Sequence, residues 1–329
     1  MKQVRERIKD QYQGKSEQDF LVTAPAMPKQ LMVELSNACN HACVFCANPT
    51  MQRKVGRIKD EFLFRLMADA RRYGVREISF YTTGEPFVHK GLEKFTAEAK
   101  RLGYEYIFIT SNGALATPER AVPVIEAGID SIKFSLNAGD RESYKAIHGK
   151  DDWDAVVNNI RFISEYREKH ALQFKLYIGF VLTQATKYQP EKLRELLGDK
   201  VDDIIVAESH DLYGQVEDSQ DMLMIKPQRR REGICYQPFN RLHVTCEGYL
   251  TICCGDFNNF LAVCDLNEMS LEEAWLSPRF RDVRQRHLDR RLEGMLCDNC
   301  WNGSVAPVHP LNEDLADDPA SNAEVGSVD

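Results

Sequence analysis

No stretch of this 329-residue chain approaches the ~20 consecutive apolar residues that cross a bilayer, and its opening, MKQVRERIKDQYQGKSEQDF, lacks the apolar core of a secretion signal. Neither a membrane span nor export is expected, and the chain reads as cytoplasmic. From Ser304 onward there is no Lys or Arg, whereas Glu313, Asp314, Asp317, Asp318, Glu324 and Asp329 all fall there. Those six carboxylates carry most of the net charge of -8 and leave roughly -2 for the remainder. A near-neutral body has no electrostatic footprint for a phosphate backbone, which argues against nucleic acid as a partner. The acidic segment 304–329 is expected to be a disordered tail. Cysteine is missing altogether between positions 46 and 235, so the ten cysteines fall into two groups, three at 39–46 and seven at 235–300. In a reducing compartment such clustering points to metal binding or catalysis rather than disulfides.

What is present is a strand–helix alternation. The runs 31-LMVELS, 77-EISFYTT, 104-YEYIFITS, 131-SIKFSLN, 174-FKLYIGFVLT and 203-DIIVAES read as strands. Helical patterns separate them at 60–73, 91–102, 118–127, 152–169 and 190–197, with Pro118 and Pro190 in first turns and Gly74, Gly103 and Gly128 after helix ends. Alternation of this kind gives a parallel sheet with right-handed crossovers. Six units are too few for a closed eight-stranded barrel, so an α/β partial (β/α)6 TIM-like barrel is predicted over 31–210, after an extension at 1–30. Beyond it, a linker with Gly214, Pro227 and the run Arg229–Arg231 leads to a hairpin of 241-RLHVT and 250-LTICC. A helix at about 270–289 and Cys297-x2-Cys300 complete a small domain over 211–303.

Cys39-x3-Cys43-x2-Cys46 follows the first strand directly. Three thiolates on so short a loop can hold three irons of a [4Fe–4S] cube and leave the fourth open to a small molecule. A zinc site completed by His41 is the alternative. With Phe45 before its last cysteine, the motif resembles that of the radical S-adenosylmethionine superfamily. Membership implies that the open iron binds S-adenosylmethionine, whose reductive cleavage yields a 5′-deoxyadenosyl radical that takes hydrogen from substrate. It also implies a flavodoxin- or ferredoxin-type electron donor. The resemblance further extends to Thr82-Thr83-Gly84-Glu85-Pro86 after strand two, similar to the family's GGEP segment. It makes Ser111, Asn112, Ser135 and Asn137 candidate cofactor contacts, with Val181 a candidate to pack on adenine.

Cys235, Cys253, Cys297 and Cys300 have the pattern C-x17-C-x43-C-x2-C. Four thiolates suit either zinc or a fully ligated [4Fe–4S] cluster. The arrangement resembles the auxiliary-cluster domain of the SPASM/twitch subgroup in its one-cluster form, so two clusters in all are implied. Within that subgroup the layout is most similar to compact dehydrogenases and epimerases of aminocyclitols, sugars and aminoglycosides. The implied reaction is oxidation of an alcohol carbon in a small polyhydroxylated substrate, with the auxiliary cluster as electron acceptor. On a strand Cys254 faces opposite to Cys253, where it would donate a hydrogen atom in an epimerase. Peptide modification is a third reading, disfavoured because only 30 residues precede the first strand. The molybdenum-cofactor cyclase is set aside because its C-x2-C-x13-C pattern and terminal Gly-Gly are missing. Tyr81, Glu208, His210 and Asp256 are candidate substrate contacts, Glu208 and His210 as bases, and the Arg-rich stretch 279–291 is a candidate phosphate site.

Overall fold

A computed structural model describes residues 20–216, 220–225, 231–304 and 306–316. The expectations for 1–19, Pro227, Arg229, Arg230 and 317–329 lie outside the described residues.

The chain begins β1 (Gln30–Val33), α1 (Asp60–Arg72), β2 (Glu77–Phe80), α2 (Leu92–Arg101), β3 (Tyr106–Ser111), α3 (Pro118–Glu126) and β4 (Ser131–Ser135). It continues α4 (Arg141–His148), α5 (Trp153–Lys169), β5 (Lys175–Leu182), α6 (Pro190–Leu197) and β6 (Asp203–Glu208). Each strand pairs in parallel with the next, giving the predicted six-stranded partial barrel. Strands such as LMV and YIFI bury nearly continuous apolar runs because helices cover one face and the barrel interior the other. β1, β2 and β4 end two to three residues earlier than their predicted runs. Glu34, for example, leaves the β1–β2 ladder and donates its N–H to Val244 O at 2.9 Å.

Helix α4 was not anticipated. Asp140 caps it by accepting from Ser143 N–H at 2.9 Å, and Gly149 ends it in the left-handed region at φ 70°.

The C-terminal unit comprises α7 (Gln237–Asn240), β7 (Leu242–Val244), β8 (Tyr249–Thr251), β9 (Ala262–Asp265), α8 (Leu271–Trp275), α9 (Pro278–Leu288), α10 (Leu296–Asn302) and α11 (Glu313–Ala316). It is not a separate sheet. β7 runs parallel to β1, pairing Leu31 with Leu242 and Val33 with Val244, so one nine-stranded sheet has the order β6-β5-β4-β3-β2-β1-β7-β8-β9. The expected hairpin thus gains a third strand, and the helix expected at 270–289 is broken, because Ser277 accepts from Phe280 N–H and starts a new helix with Pro278 in its first turn.

The expected disorder beyond Ser304 does not hold for 306–316. Leu315 is buried with Tyr249 and Ala262, Asn312 donates to Val263 O and Leu311 N–H to Phe260 O, so this segment packs on β9. At the other end, Trp275 Nε1–H donates to Pro25 O at 2.9 Å. Arg284, fully buried between the Trp275 and Phe280 rings, donates to the carbonyls of Thr23, Trp275 and Pro238. Burial pulls its pKa down to about 9, yet the three carbonyls hold the guanidinium in place. Arg284→Met keeps some of the packing and orphans three carbonyls. It is expected to cost about 3 kcal/mol and lower the thermal midpoint by several degrees in calorimetry. An unchanged midpoint would show that the N-terminal segment does not depend on this residue.

Candidate active site

The cluster loop runs from Glu34 to Lys59 and has little regular structure. Its backbone polar groups are satisfied by neighbours. Asn37 Oδ1 accepts from Gly56 N–H at 2.8 Å while its Nδ2 donates to Lys54 O, closing the loop on itself. Ala42 N–H and Val44 N–H donate to His148 O and Ile147 O at 3.1 and 3.0 Å, seating the cysteine turn on the end of α4. Gly149 lets the loop approach, since a Cβ there would lie 2.8 Å from Ala42 O. On the barrel side, Glu85 N–H donates to Ala38 O, and a Cβ on Gly84 would meet Ala38 O at 2.6 Å.

Each of the three thiols has a donor beside it. Cys46 Sγ accepts from Asn48 N–H at 3.4 Å, Cys43 Sγ lies 3.4 Å from His148 Nδ1, and Asn112 Nδ2 lies 3.9 Å from Cys39 Sγ. Burial raises all three pKa values, Cys39 to about 12, and mutual repulsion of the thiolates adds to the rise at Cys39 and Cys43. They stay protonated without a cation, so metal loading must release protons. Among the described residues no three cysteine sulfurs converge within 4.8 Å. A tetrahedral zinc with ~2.3 Å Zn–S bonds needs sulfurs about 3.8 Å apart. No such tetrahedral set of sulfurs is preformed among the described cysteines. His41 is no zinc ligand in waiting at Nε2, which is held 3.0 Å from Asp152 Oδ2.

Several of the expected cofactor contacts have side chains bonded to the scaffold. Glu85 accepts from Ser111 Oγ at 2.8 Å and from the N–H groups of Asn112 and Phe87 at 2.7 and 3.0 Å. It is thus a buried hub joining the ends of β2 and β3. The Thr83 hydroxyl bonds to buried Glu34, and its carbonyl accepts from Asn48 Nδ2. Asn137 Oδ1 accepts from Val181 N–H at 2.7 Å, so the Asn137 side chain ties β4 to β5. Ser135, Phe45 and Val181 are half-buried around the strand ends, with Val181 bound through its backbone.

Glu34 also anchors a buried ionic group. Arg53 bridges Glu34 and Glu247 at 2.5 and 2.6 Å, with all three side chains almost inaccessible. This group connects the loop to the β7–β8 turn. Arg53 holds the Glu34 carboxyl below its usual range although burial alone would raise it.

In the C-terminal unit, Cys235, Cys253, Cys297 and Cys300 line one cavity of about 30 Å³ with Ile252, Leu292 and Trp301. The expected strand alternation at Cys253 and Cys254 is not realised, because β8 ends at Thr251 after an irregularity at Leu250/Thr251 and both cysteines lie in the following turn. Their side chains do not diverge: the two thiols hydrogen-bond to each other, although Cys254 is absent from this cavity and its charge also acts on Lys133 and Tyr81. Asp256 is not a substrate contact either. It accepts from the N–H groups of Asn258, Phe260 and Leu261 and shapes the turn. Within the Arg-rich stretch, Arg284 is in the core and Arg286 binds the carbonyls of Arg291 and Glu293, so neither guanidinium is presented to a phosphate.

A second cavity, about 720 Å³, lies between the two sulfur sites. Cys43, Val44, Cys46 and Gln52 form one wall, and Tyr213, Asn258, Leu296 and Asn299 the other. Tyr213 lines both cavities and was not anticipated. Its backbone sits in the left-handed region at φ 67°, and its ring stacks on His210 at 5.2 Å. Neither His210 nor the exposed Glu208 lines the large cavity.

Comparison with known proteins agrees with this geometry. The Radical SAM superfamily matches residues 33–182, and the SPASM iron-sulfur cluster-binding domain matches 235–301. The chain carries a Radical SAM domain followed by a SPASM-type iron-sulfur cluster-binding domain. Among curated proteins it is 32% identical over 133 residues to a probable GTP 3′,8-cyclase of Saccharolobus solfataricus, covering 40% of this chain and 42% of that one. The chain therefore spans less than half the length of that relative. Among solved structures it is similar to BtrN in complex with AdoMet and 2-DOIA, with a TM-score of 0.56, 18% identity and coverage of 82% and 90%. Streptococcus suis SuiB bound to its precursor peptide SuiA gives 0.63, 16%, 79% and 67%. At such identities these likenesses establish the fold. Among the described residues no helix is long and apolar enough to cross a membrane.

Anaerobically reconstituted protein is expected to hold about eight irons, falling to about four in Cys297→Ala/Cys300→Ala. Stoichiometric zinc in the second site would contradict the cubane assignment. Cys39→Ala, Cys43→Ala and Cys46→Ala should each abolish release of 5′-deoxyadenosine, measured by chromatography, while leaving the circular-dichroism spectrum unchanged. Undiminished release by any of them would be the contrary result.

Proposed function

We propose that the chain oxidises an alcohol carbon of a small polyhydroxylated substrate bound between the two sulfur sites. The observation carrying this reading is the large cavity's lining: it reaches the thiols of Cys43 and Cys46 yet holds no charged side chain among its described residues. Thr50, Gln52, Tyr213, Gln215, Asn258 and Asn299 offer hydroxyl and amide groups instead, and the volume is in the range of small-molecule sites. Asn299 Oδ1 is buried without a hydrogen-bond partner among the described residues, and so can accept from a substrate hydroxyl. A nucleoside triphosphate, by contrast, would call for cations along this wall, which weighs against the cyclase activity named for the curated relatives.

Cys39, Cys43 and Cys46 would hold the first cluster with its bound S-adenosylmethionine, and Cys235, Cys253, Cys297 and Cys300 the second. When bound, the first group supplies a radical that removes a hydrogen atom from carbon. The second cluster, when bound, would supply a one-electron acceptor, and the hydroxyl proton would leave to water, since the lining holds no carboxylate or imidazole among the described residues. Tyr213, forming a wall of both cavities, separates the substrate from the electron acceptor by about one side chain. An external flavodoxin- or ferredoxin-type donor would supply the first electron.

Epimerisation is the second reading, supported by the position of Cys254 beside Lys133 and Tyr81. Oxidation is preferred because Cys254 does not line the large cavity. With a sugar or aminocyclitol panel in deuterium oxide, oxidation predicts a product two hydrogens lighter and turnover that survives Cys254→Ala. A product of unchanged oxidation state that carries solvent deuterium, lost in Cys254→Ala, would overturn the preference.

A further inference from the structure

We propose that His148 donates an N–H···S hydrogen bond to the Cys43 thiolate and thereby sets the reduction potential of the cluster held by Cys39, Cys43 and Cys46. The inference rests on Cys43 being a cluster ligand.

The argument is one of proton placement. Val181 N–H donates to Asn137 Oδ1 at 2.7 Å, which fixes the orientation of that amide and turns its Nδ2 toward His148. The Asn137 backbone N–H lies 3.3 Å from His148 Nε2, and Asn137 Nδ2 lies 3.4 Å from it. Both of these groups can only donate, so Nε2 must present its lone pair. A neutral imidazole with a bare Nε2 carries its proton on Nδ1, and Nδ1 lies 3.4 Å from Cys43 Sγ. The same placement removes Nδ1 as a metal ligand, although His148 and His41 lie within ligating range of Cys43.

Nothing in this arrangement is free to turn. His148 is fully buried, its ring stacks on Tyr144 at 4.2 Å and 21°, and its carbonyl accepts from Ala42 N–H in the cluster loop. A polarised chain therefore runs from β5 through Asn137 and His148 to a cluster sulfur. A proton directed at a thiolate stabilises the more negative, reduced state of the cluster, so the bond raises its potential.

The test is an EPR-monitored redox titration of the reconstituted full chain, reading only the first cluster in a Cys297→Ala/Cys300→Ala background. His148→Phe keeps a ring against Tyr144 and removes the donor. Its cluster should be about tenfold harder to reduce, or about 59 mV lower for one electron. His148→Gln can still donate and should recover most of that shift. A His148→Phe cluster that titrates at the parent potential overturns the inference, because a merely structural role would lower iron loading without moving the midpoint. Should His148→Phe hold no cluster, the parent labelled with 15N-histidine decides. A 15N coupling to the reduced cluster that persists in a His41→Gln background supports the bond, and its absence overturns it. A parent protein that binds no cluster would instead defeat the underlying assignment of Cys43.

Discussion

Three thiolates must be held around a common centre by a loop that has almost no secondary structure of its own, and the architecture around it follows from that constraint. A backbone of this kind is stable only if its polar groups find partners elsewhere. The end of α4 supplies two carbonyls to Ala42 and Val44, and the Gly84-Glu85 segment supplies an N–H to Ala38. Glu85 in turn fixes the end of β3 through two donors, Ser111 Oγ and Asn112 N–H. The shape of the GEP segment is therefore a packing requirement, since even a methyl on Gly84 would strike the loop's carbonyls.

The second constraint is the relative placement of two sulfur sites. A flexible second domain could not hold it, and the chain solves the problem with a continuous sheet. β7 adds directly to β1, so the strand that leads into the cluster loop also carries the hairpin that leads to Cys253. The Glu34–Arg53–Glu247 group stitches the same junction from above. Removing one partner from such a buried group commonly costs about 3–5 kcal/mol because a charge is left unpaired. The pieces that might otherwise drift, residues 20–29 and 306–316, are pinned to the C-terminal unit by Trp275, Arg284 and Leu315. The cavity between the sulfur sites is thus bounded by loops and the start of α10, all anchored to one sheet.

The barrel was legible in the sequence because buried parallel strands are short apolar runs and their helices carry clear proline and glycine punctuation. Both cysteine sets were legible from spacing. What escaped was local or too short to show periodicity. Helix α4 has only eight residues, though Asp140 and Gly149 marked its ends. β9 has four, and the break in the long C-terminal helix was written in Ser277-Pro278. The alternation argument for Cys253 and Cys254 failed because an irregularity in β8 ended the strand early. Side-chain assignments fared worst, because Asn137, Thr83 and Asp256 are polar residues at strand ends that can bind a ligand or the backbone with equal ease. Here they bind the main chain and other scaffold side chains, while Tyr213 and His148, which border the sulfur sites, carry no sequence signature.

The central claim is that one cluster has an open iron and the other does not. EPR spectra of the dithionite-reduced, reconstituted protein with and without S-adenosylmethionine test it most directly. The account predicts two [4Fe–4S] signals, of which one shifts on adding S-adenosylmethionine and disappears in Cys39→Ala/Cys43→Ala/Cys46→Ala. The other should be insensitive to the cofactor and disappear in Cys297→Ala/Cys300→Ala. A single signal, or two that both ignore S-adenosylmethionine, would contradict it.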